Sequence, residues 1–417
     1  MTTRPGTLFA DPLHDEFSRW PLAYTSAGGA EPGEVAAVAA AVAHAGGTDD
    51  AFFDAWFAAA ERVRAEAGKA LAAGHDETAK SLLLRASSLY ATSYKPIFGT
   101  PVDPRLVRAY DAQLAVFEQA LALGEHPVRR MAIPFEGGDL PGYLVPAVGH
   151  EREVRTLIVF TNGYDGSITD LYFANAVAAT RRGYHALIFS GPGQDEMLIR
   201  RGTALRPDWE SVVTPVIDHA LTLPEVDPER IVLSGWSLGG YLAPRAASAE
   251  PRLRALIADP GQLDLGSAVR GFLSGFGVDA SRPGFTAADI PDSAVDAILT
   301  TITADRRLTW SFLQRGFWAN GVSDLRAFVD ASLAFSLRDR VGGITCPSFI
   351  AAAEDDPIAA QARELFELLT CEKEFVLFTA AEGAQGHCEM GNRSLFNLRA
   401  LDWLDGVLGA APTGRSN

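Results

Sequence analysis

The chain has 417 residues, 47% hydrophobic and 21% charged, which allows a large core and two or three globular domains of roughly 100–200 residues each. A formal net charge of −16 disfavours nucleic acid and anionic membrane surfaces as partners, since both need cationic groups to meet their phosphates. Three scattered cysteines (Cys346, Cys371, Cys388) exclude a disulfide framework or zinc cluster, and neither a secretory signal nor a membrane-length apolar run is evident, so a soluble cytoplasmic protein is expected.

Up to about Leu123 the sequence is Ala-rich with apolar residues at helical spacing. It predicts helices over "DDAFFDAWFAAAERVRAEAGKALAAG", ending at Gly74, over "DETAKSLLLRASSLYATSYKPIF" with Asp76 as cap, and over "PRLVRAYDAQLAVFEQALALG". No fixed repeat period is present, which argues against a solenoid. Near His126 the texture changes: "VRRMAIPFEGGDLPGYLVPA" predicts two short strands around a Gly137–Gly138 turn. Strands then alternate with helices, through "RTLIVFTNG", "DLYFANAVAATRRG", "YHALIFSGPG", "DWESVVTPVIDHALTL", "RIVLSGWS", "LGGYLAPRAAS" and "LRALIADPG". This alternation implies an α/β protein with a parallel sheet, helices on both faces, and ligands beyond the carboxyl ends of the strands. From Leu263 to Gly343 it stops in favour of a helix-prone, aromatic insertion. It resumes with strand "CPSFIAAA", helix "AAQARELFELL", strand "EFVLFTA" and a closing helix "SLFNLRALDWLDGVL".

Within this pattern Gly235-Trp236-Ser237-Leu238-Gly239 fits G-x-S-x-G with a strand before and a small-residue helix after. That context lifts a serine hydroxyl onto a tight turn and points a helix N-terminus toward developing negative charge. A serine needs a base to take its proton, and the base needs an orienting acid. In this arrangement the order along the chain is Ser, then Asp or Glu, then His. Of eight histidines, only His387 follows Ser237, in the Gly-rich loop "EGAQGHCEMG". The acid is expected after "CPSFIAAA", where Glu354, Asp355 and Asp356 stand together; Asp356 is preferred because Pro357 biases it to extended backbone, with Asp355 as rival. An oxyanion hole needs two backbone N–H groups, expected from Leu238 and from Tyr164 in "FTNGYDG".

These residues, with "LLLRASSLY", "IPFEGGDLPGYL", "SGPGQDEM", "ITCPSFI", "EDDPI" and "LDWLDGVL", resemble the α/β-hydrolase fold. Within it they resemble the group with an N-terminal helical domain: the 2,6-dihydroxypseudooxynicotine hydrolase, the fungal polyketide chain-shortening hydrolases and the FrsA-like esterases. The resemblance implies Ser237, Asp356 and His387 as the triad. The chain departs from it at Ser190, where relatives often have Asp before Gly-Pro-Gly, and at "AAAEDD", where many hydrolases have His-Gly.

The expected domains are a helical domain over 1–125, the hydrolase core over 126–262 and 344–417, and a helical cap insertion over 263–343. The cap carries Trp310, Phe312, Phe317, Trp318 and Phe328; such clusters are more often core than substrate contact, but a cap over a cleft needs both. Trp310, Phe317, Trp318, Trp236, Asp165 and Glu196 are the candidate substrate contacts, with a solvated loop as the plainer reading of Asp195 and Glu196. Cys388 is expected to be a small buried residue.

No cofactor and no metal are expected. The resulting reading is a hydrolase acting through an acyl-enzyme on a small hydrophobic or aromatic carbonyl compound, with C–C cleavage of a β-dicarbonyl, aryl ketone or polyketide-like substrate favoured. The alternatives are a carboxylesterase or lactonase, and a non-catalytic ligand-binding protein. The resemblance also implies a homodimer, the helical domain either mediating it or closing over the active site.

Overall fold

The computed structural model describes residues 7–123 and 128–409, so the expected boundary at 125/126 lies outside the described residues. The chain divides into two compact units. One comprises Met1–Gly124, Pro192–Pro207 and Asp264–Ser336; the other comprises Glu125–Gly191, Asp208–Leu263 and Leu337–Asn417.

The first unit is helical. It holds α1 (Pro12–Ala23), α2 (Pro32–His44), α3 (Asp49–Ala72), α4 (Asp76–Ser93) and α5 (Pro104–Ala122). Thr48 caps α3, its hydroxyl accepting from Ala51 N at 3.2 Å, and Gly74 ends that helix at φ +74°. Asp103 caps α5 ahead of Pro104, accepting from Arg105 N at 2.8 Å. Asp76, expected as the cap of α4, is instead its first helical residue, with His75 at the cap and no side-chain cap bond; a carboxylate in the first turn still complements the helix dipole. Phe52, Trp56, Tyr90, Tyr110 and Phe117 are buried among these helices.

The segment Asp264–Ser336 belongs to this same unit. Its helices Leu265–Ser274, Asp292–Ala304 and Leu325–Leu333 enclose Leu273, Ile298, Ile302, Leu325 and Val329. Trp310 ties it to the N-terminal helices. Its indole N–H donates to the Lys95 carbonyl at 3.0 Å, and its ring lies 5.0 Å from that of Phe17.

The second unit is built on an eight-stranded sheet of β1 (Arg129–Phe135), β2 (Gly138–Val145), β3 (Arg155–Thr161), β4 (His185–Phe189), β5 (Val226–Trp236), β6 (Leu253–Asp259), β7 (Ser348–Ala353) and β8 (Lys373–Phe378). The strand order is β1-β2-β4-β3-β5-β6-β7-β8. The β1–β2 and β2–β4 pairs are antiparallel and the remainder parallel. Phe135 pairs with Gly138, so the hairpin turn is Glu136–Gly137, both at positive φ, rather than Gly137–Gly138. The long apolar runs of β3, β4 and β5 are buried on both faces, as the parallel interior of a covered sheet requires. Among the described residues no helix is long and apolar enough to cross a membrane.

Candidate active site

β5 delivers Trp236 and Ser237 to the carboxyl end of the sheet, and the helix Gly239–Ala247 leaves immediately afterwards. Ser237 adopts φ +60°, a left-handed conformation that a non-glycine residue keeps only when its surroundings impose it. The restraints are visible. Ser237 N donates to the Asp259 carbonyl at 2.7 Å, and the Ser237 carbonyl accepts from Gly240 N at 2.8 Å and from Gln262 Nε2 at 2.6 Å. The glycines permit this crowding: a Cβ on Gly235 would overlap the Gly239 carbonyl, and one on Gly240 would overlap that of Pro260.

Ser237 Oγ lies 2.8 Å from His387 Nε2, although the two residues are 150 positions apart. His387 Nδ1 lies 2.7 Å from Asp356 Oδ2. The other oxygen of Asp356 accepts from Ile358 N at 3.0 Å, which fixes the carboxylate at the start of the turn Pro357–Gln361. A carboxylate on Nδ1 selects the tautomer protonated there and leaves Nε2 free to accept from the serine hydroxyl. The Asp356 side chain is 1% exposed and that of His387 28%, so the acid is shielded while the imidazole stays reachable.

The loop after β3 packs against the serine. A Cβ on Gly163 would lie 2.9 Å from Ser237 Oγ, so only glycine permits this approach. Asn162 shapes the turn, accepting from Gly163 N at 2.8 Å and donating to the Ser167 carbonyl at 3.0 Å. Tyr164 therefore follows directly on the residue that touches Ser237. Leu238, at the N-cap of the helix Gly239–Ala247, is buried, and among the described residues no group accepts from its N–H.

Sequence reasoning missed a buried charged cluster behind the imidazole. Arg393, at the start of the closing helix, meets both Asp259 and Glu389, and all three side chains are at most 2% exposed. Burial, then the neighbouring Asp259, pushes the Glu389 carboxyl well above its usual range. Burial, with the Asp259 and Glu389 charges, does the same to the Cys388 thiol, which lies 3.4 Å from His387 Nε2. Cys388 is thus a neutral, buried thiol. The sequence does not single Arg393 out, because the same helix also carries Arg399, Asp402 and Asp405.

Of the expected substrate contacts, Trp236 is buried beside Ser237 with the Arg393 guanidinium 5.8 Å from its ring, and Asp165 is half-buried in the loop that carries Tyr164. Glu196, Trp310, Phe317 and Trp318 belong to the helical unit. Glu196 is not in a solvated loop: it is buried and paired with Arg201 at 2.8 Å, because the short helix Asp195–Ile199 turns its acidic end inward. Trp310 and Trp318 are core residues packed on Phe98, at 6.1 and 5.5 Å between rings, and Phe317 packs on Phe328 at 5.7 Å. Among the described residues, no group of three or more His, Cys, Asp or Glu side chains is placed to hold a metal ion.

This combination of sheet order, elbow and loops defines the class. A profile described as "Alpha/beta hydrolase family" matches residues 158–391. Hydrolase LUC6 of Fusarium sp is 31% identical over 396 residues, covering 91% of this chain and 93% of the relative. The 20-hydroxy-prefusarin hydrolase FUS2 of Gibberella moniliformis is 31% identical over 392 residues, covering 90% and 92%. Among solved structures, the 2,6-dihydroxy-pseudo-oxynicotine hydrolase superposes with a TM-score of 0.69 at 21% identity, over 94% of this chain and 98% of that one. The chain belongs to the alpha/beta hydrolase family and is a hydrolase.

Proposed function

We propose that the protein is a serine-nucleophile hydrolase of small hydrophobic carbonyl compounds. The observation that carries this reading is the continuous Ser237–His387–Asp356 relay, at 2.8 and 2.7 Å. Ser237 Oγ attacks the carbonyl carbon as His387 Nε2 takes its proton. Asp356 holds the Nδ1–H and steadies the imidazolium. The amides of Leu238 and Tyr164 receive the developing oxyanion. Collapse of the tetrahedral intermediate forms an acyl-Ser237 ester and expels the leaving group, which takes the proton from His387. Water then attacks the ester, losing its proton to the same nitrogen, which passes it to Ser237 Oγ as the C–O bond breaks and the acid is released.

The leaving group separates two versions of this chemistry. An alkoxide is protonated directly. A carbon leaving group must first be delocalised by a neighbouring carbonyl or phenol ring. The second version, hydrolysis of a C–C bond in a β-dicarbonyl, aryl ketone or polyketide-like substrate, is supported by the resemblance of "GPGQDEM" and "EGAQGHCEMG" to the group that contains such enzymes. A full-length relative named for the hydrolysis of 20-hydroxy-prefusarin also favours an organic metabolite over a peptide.

The test joins a fluorophosphonate probe with a panel of aryl esters and β-diketones. Wild-type protein is expected to label at Ser237 and to cleave diketones. Ser237→Ala should lose labelling and lower kcat by roughly 10⁶, the scale seen when a triad serine is removed. Folded wild-type protein that fails to label would favour a binding role. Rapid ester turnover without diketone cleavage would assign the esterase version.

A further inference from the structure

We propose that Arg393 is a positioning residue for the imidazole: its buried guanidinium clamps the left-handed turn carrying His387 to the strand end that restrains Ser237. This rests on the serine-hydrolase reading of the site and adds to it a residue outside the triad.

The turn needs a clamp. Cys388 and Glu389, the two residues after His387, have φ of +52° and +53°, a conformation L-residues disfavour singly and rarely adopt in succession. Neither is glycine, so the surroundings must hold them there. Arg393 supplies the contacts. Its Nη1 donates to the Cys388 carbonyl at 3.1 Å, and meets a Glu389 carboxylate oxygen at 3.4 Å and the Asp259 carboxylate. Its Nη2 donates to Asn175 Oδ1 at 2.6 Å and its Nε to the Ala174 carbonyl at 3.4 Å. The plane lies 4.0 Å from the Phe396 ring. Every edge of the fork is thus engaged in a site closed to solvent.

The same cluster reaches the nucleophile. Asp259, which pairs with Arg393 through its side chain, accepts from Ser237 N through its carbonyl at 2.7 Å and from the Cys388 thiol at 3.8 Å. One guanidinium therefore joins the end of β6, the helical segment after β3 and the turn after β8 that bears the base. Without it, the Asp259 and Glu389 carboxyl groups face each other with no cation between them, and the turn loses its best donor. The imidazole would then be free to drift from the 2.8 Å approach to Ser237. Displacement of a reacting group by about 1 Å can lower the rate about 100-fold.

The experiment compares wild type, Arg393→Met and Arg393→Lys by steady-state kinetics on an aryl ester, by near-UV circular dichroism, and by the strongly deshielded proton resonance of the His387–Asp356 hydrogen bond. Folded Arg393→Met is expected to lose about 100-fold in kcat with little change in KM, and to shift or broaden that resonance. Lysine restores the charge without the fork, so it should recover part of the loss. If Arg393→Met does not fold, Asn175→Ala removes one hydrogen bond to the guanidinium, and about a tenfold loss in kcat with KM unchanged is expected. Folded variants with an unshifted resonance, or a kcat loss equal to the unfolded fraction, would overturn the proposal. The resonance reports the imidazole directly, so it judges Arg393 even where Ser237→Ala retains turnover. That second result would instead sink the serine-hydrolase reading.

Discussion

Three consecutive carboxylates follow β7, and their surroundings give them different work. Glu354 and Asp355 are exposed, and Glu354 accepts from Ala380 N at 2.8 Å. Asp356 alone turns inward, dividing its oxygens between Ile358 N and the imidazole. Composition does not choose between Asp355 and Asp356; Pro357 biases Asp356 to extended backbone, and it is the Asp356 side chain that returns to the Ile358 amide and reaches His387. An asparagine at 356 keeps the shape but presents an amide, which favours the tautomer that leaves Nε2 protonated and unable to accept from Ser237. Asp356→Asn should therefore lower kcat by about 10⁴, the loss known for this change in a triad. Asp355→Asn should leave kcat within about twofold, as expected of a solvent-exposed group without such contacts. Equal losses in the two variants, measured side by side on one ester, would move the acid elsewhere.

At the level of the element, the elbow works because backbone stands where side chains normally would. The helix Gly239–Ala247 starts so close to β6 that any Cβ on Gly240 meets the Pro260 carbonyl, a group with no rotamer by which to retreat. Gly240→Ala should cost about 1–3 kcal/mol as overpacking does, with a matching fall in melting temperature and a loss of probe labelling as Ser237 shifts. A melting curve and labelling rate unchanged from wild type would show the helix start to be softer than this. The elbow was legible because its requirements are local: an apolar strand, a glycine-fenced serine and a small-residue helix lie within 17 residues, Ile231 to Ala247. The hairpin at Glu136–Gly137 was legible for the same reason, to within one residue of its turn. The first two helices, α1 and α2, and the π-helical stretch Tyr172–Ala176 were not resolved individually, since apolar spacing alone does not mark where one helical element gives way to the next. The Arg393 cluster was illegible. Asp259 and Asn175 lie 134 and 218 positions from Arg393, and only the folded sheet brings them to it.

For the whole chain, that cluster makes stability depend on pH in a direction opposite to the usual carboxylate. Most paired surface carboxylates are depressed and stabilise above their unfolded pKa. Glu389 is raised above its ordinary 4.5, by burial first and by Asp259 second. Above that ordinary value the unfolded chain releases the proton while the folded chain keeps it. The group's favourable contribution is therefore complete below 4.5 and is lost progressively as pH rises toward its folded value. Glu389→Gln removes the titration while keeping an acceptor for Arg393. Urea midpoints of the two proteins compared from about pH 5 to about pH 8 should diverge in favour of the glutamine variant, by up to about 1.4 kcal/mol for each pH unit in which only the folded form is protonated. Parallel curves would mean that Glu389 is ionised in the folded protein, with Arg393 neutralising it outright. Wild type gaining on the variant as pH rises from about 3 to about 5, where a depressed carboxyl is ionised only in the folded chain, would make the cluster an ordinary buried ion pair.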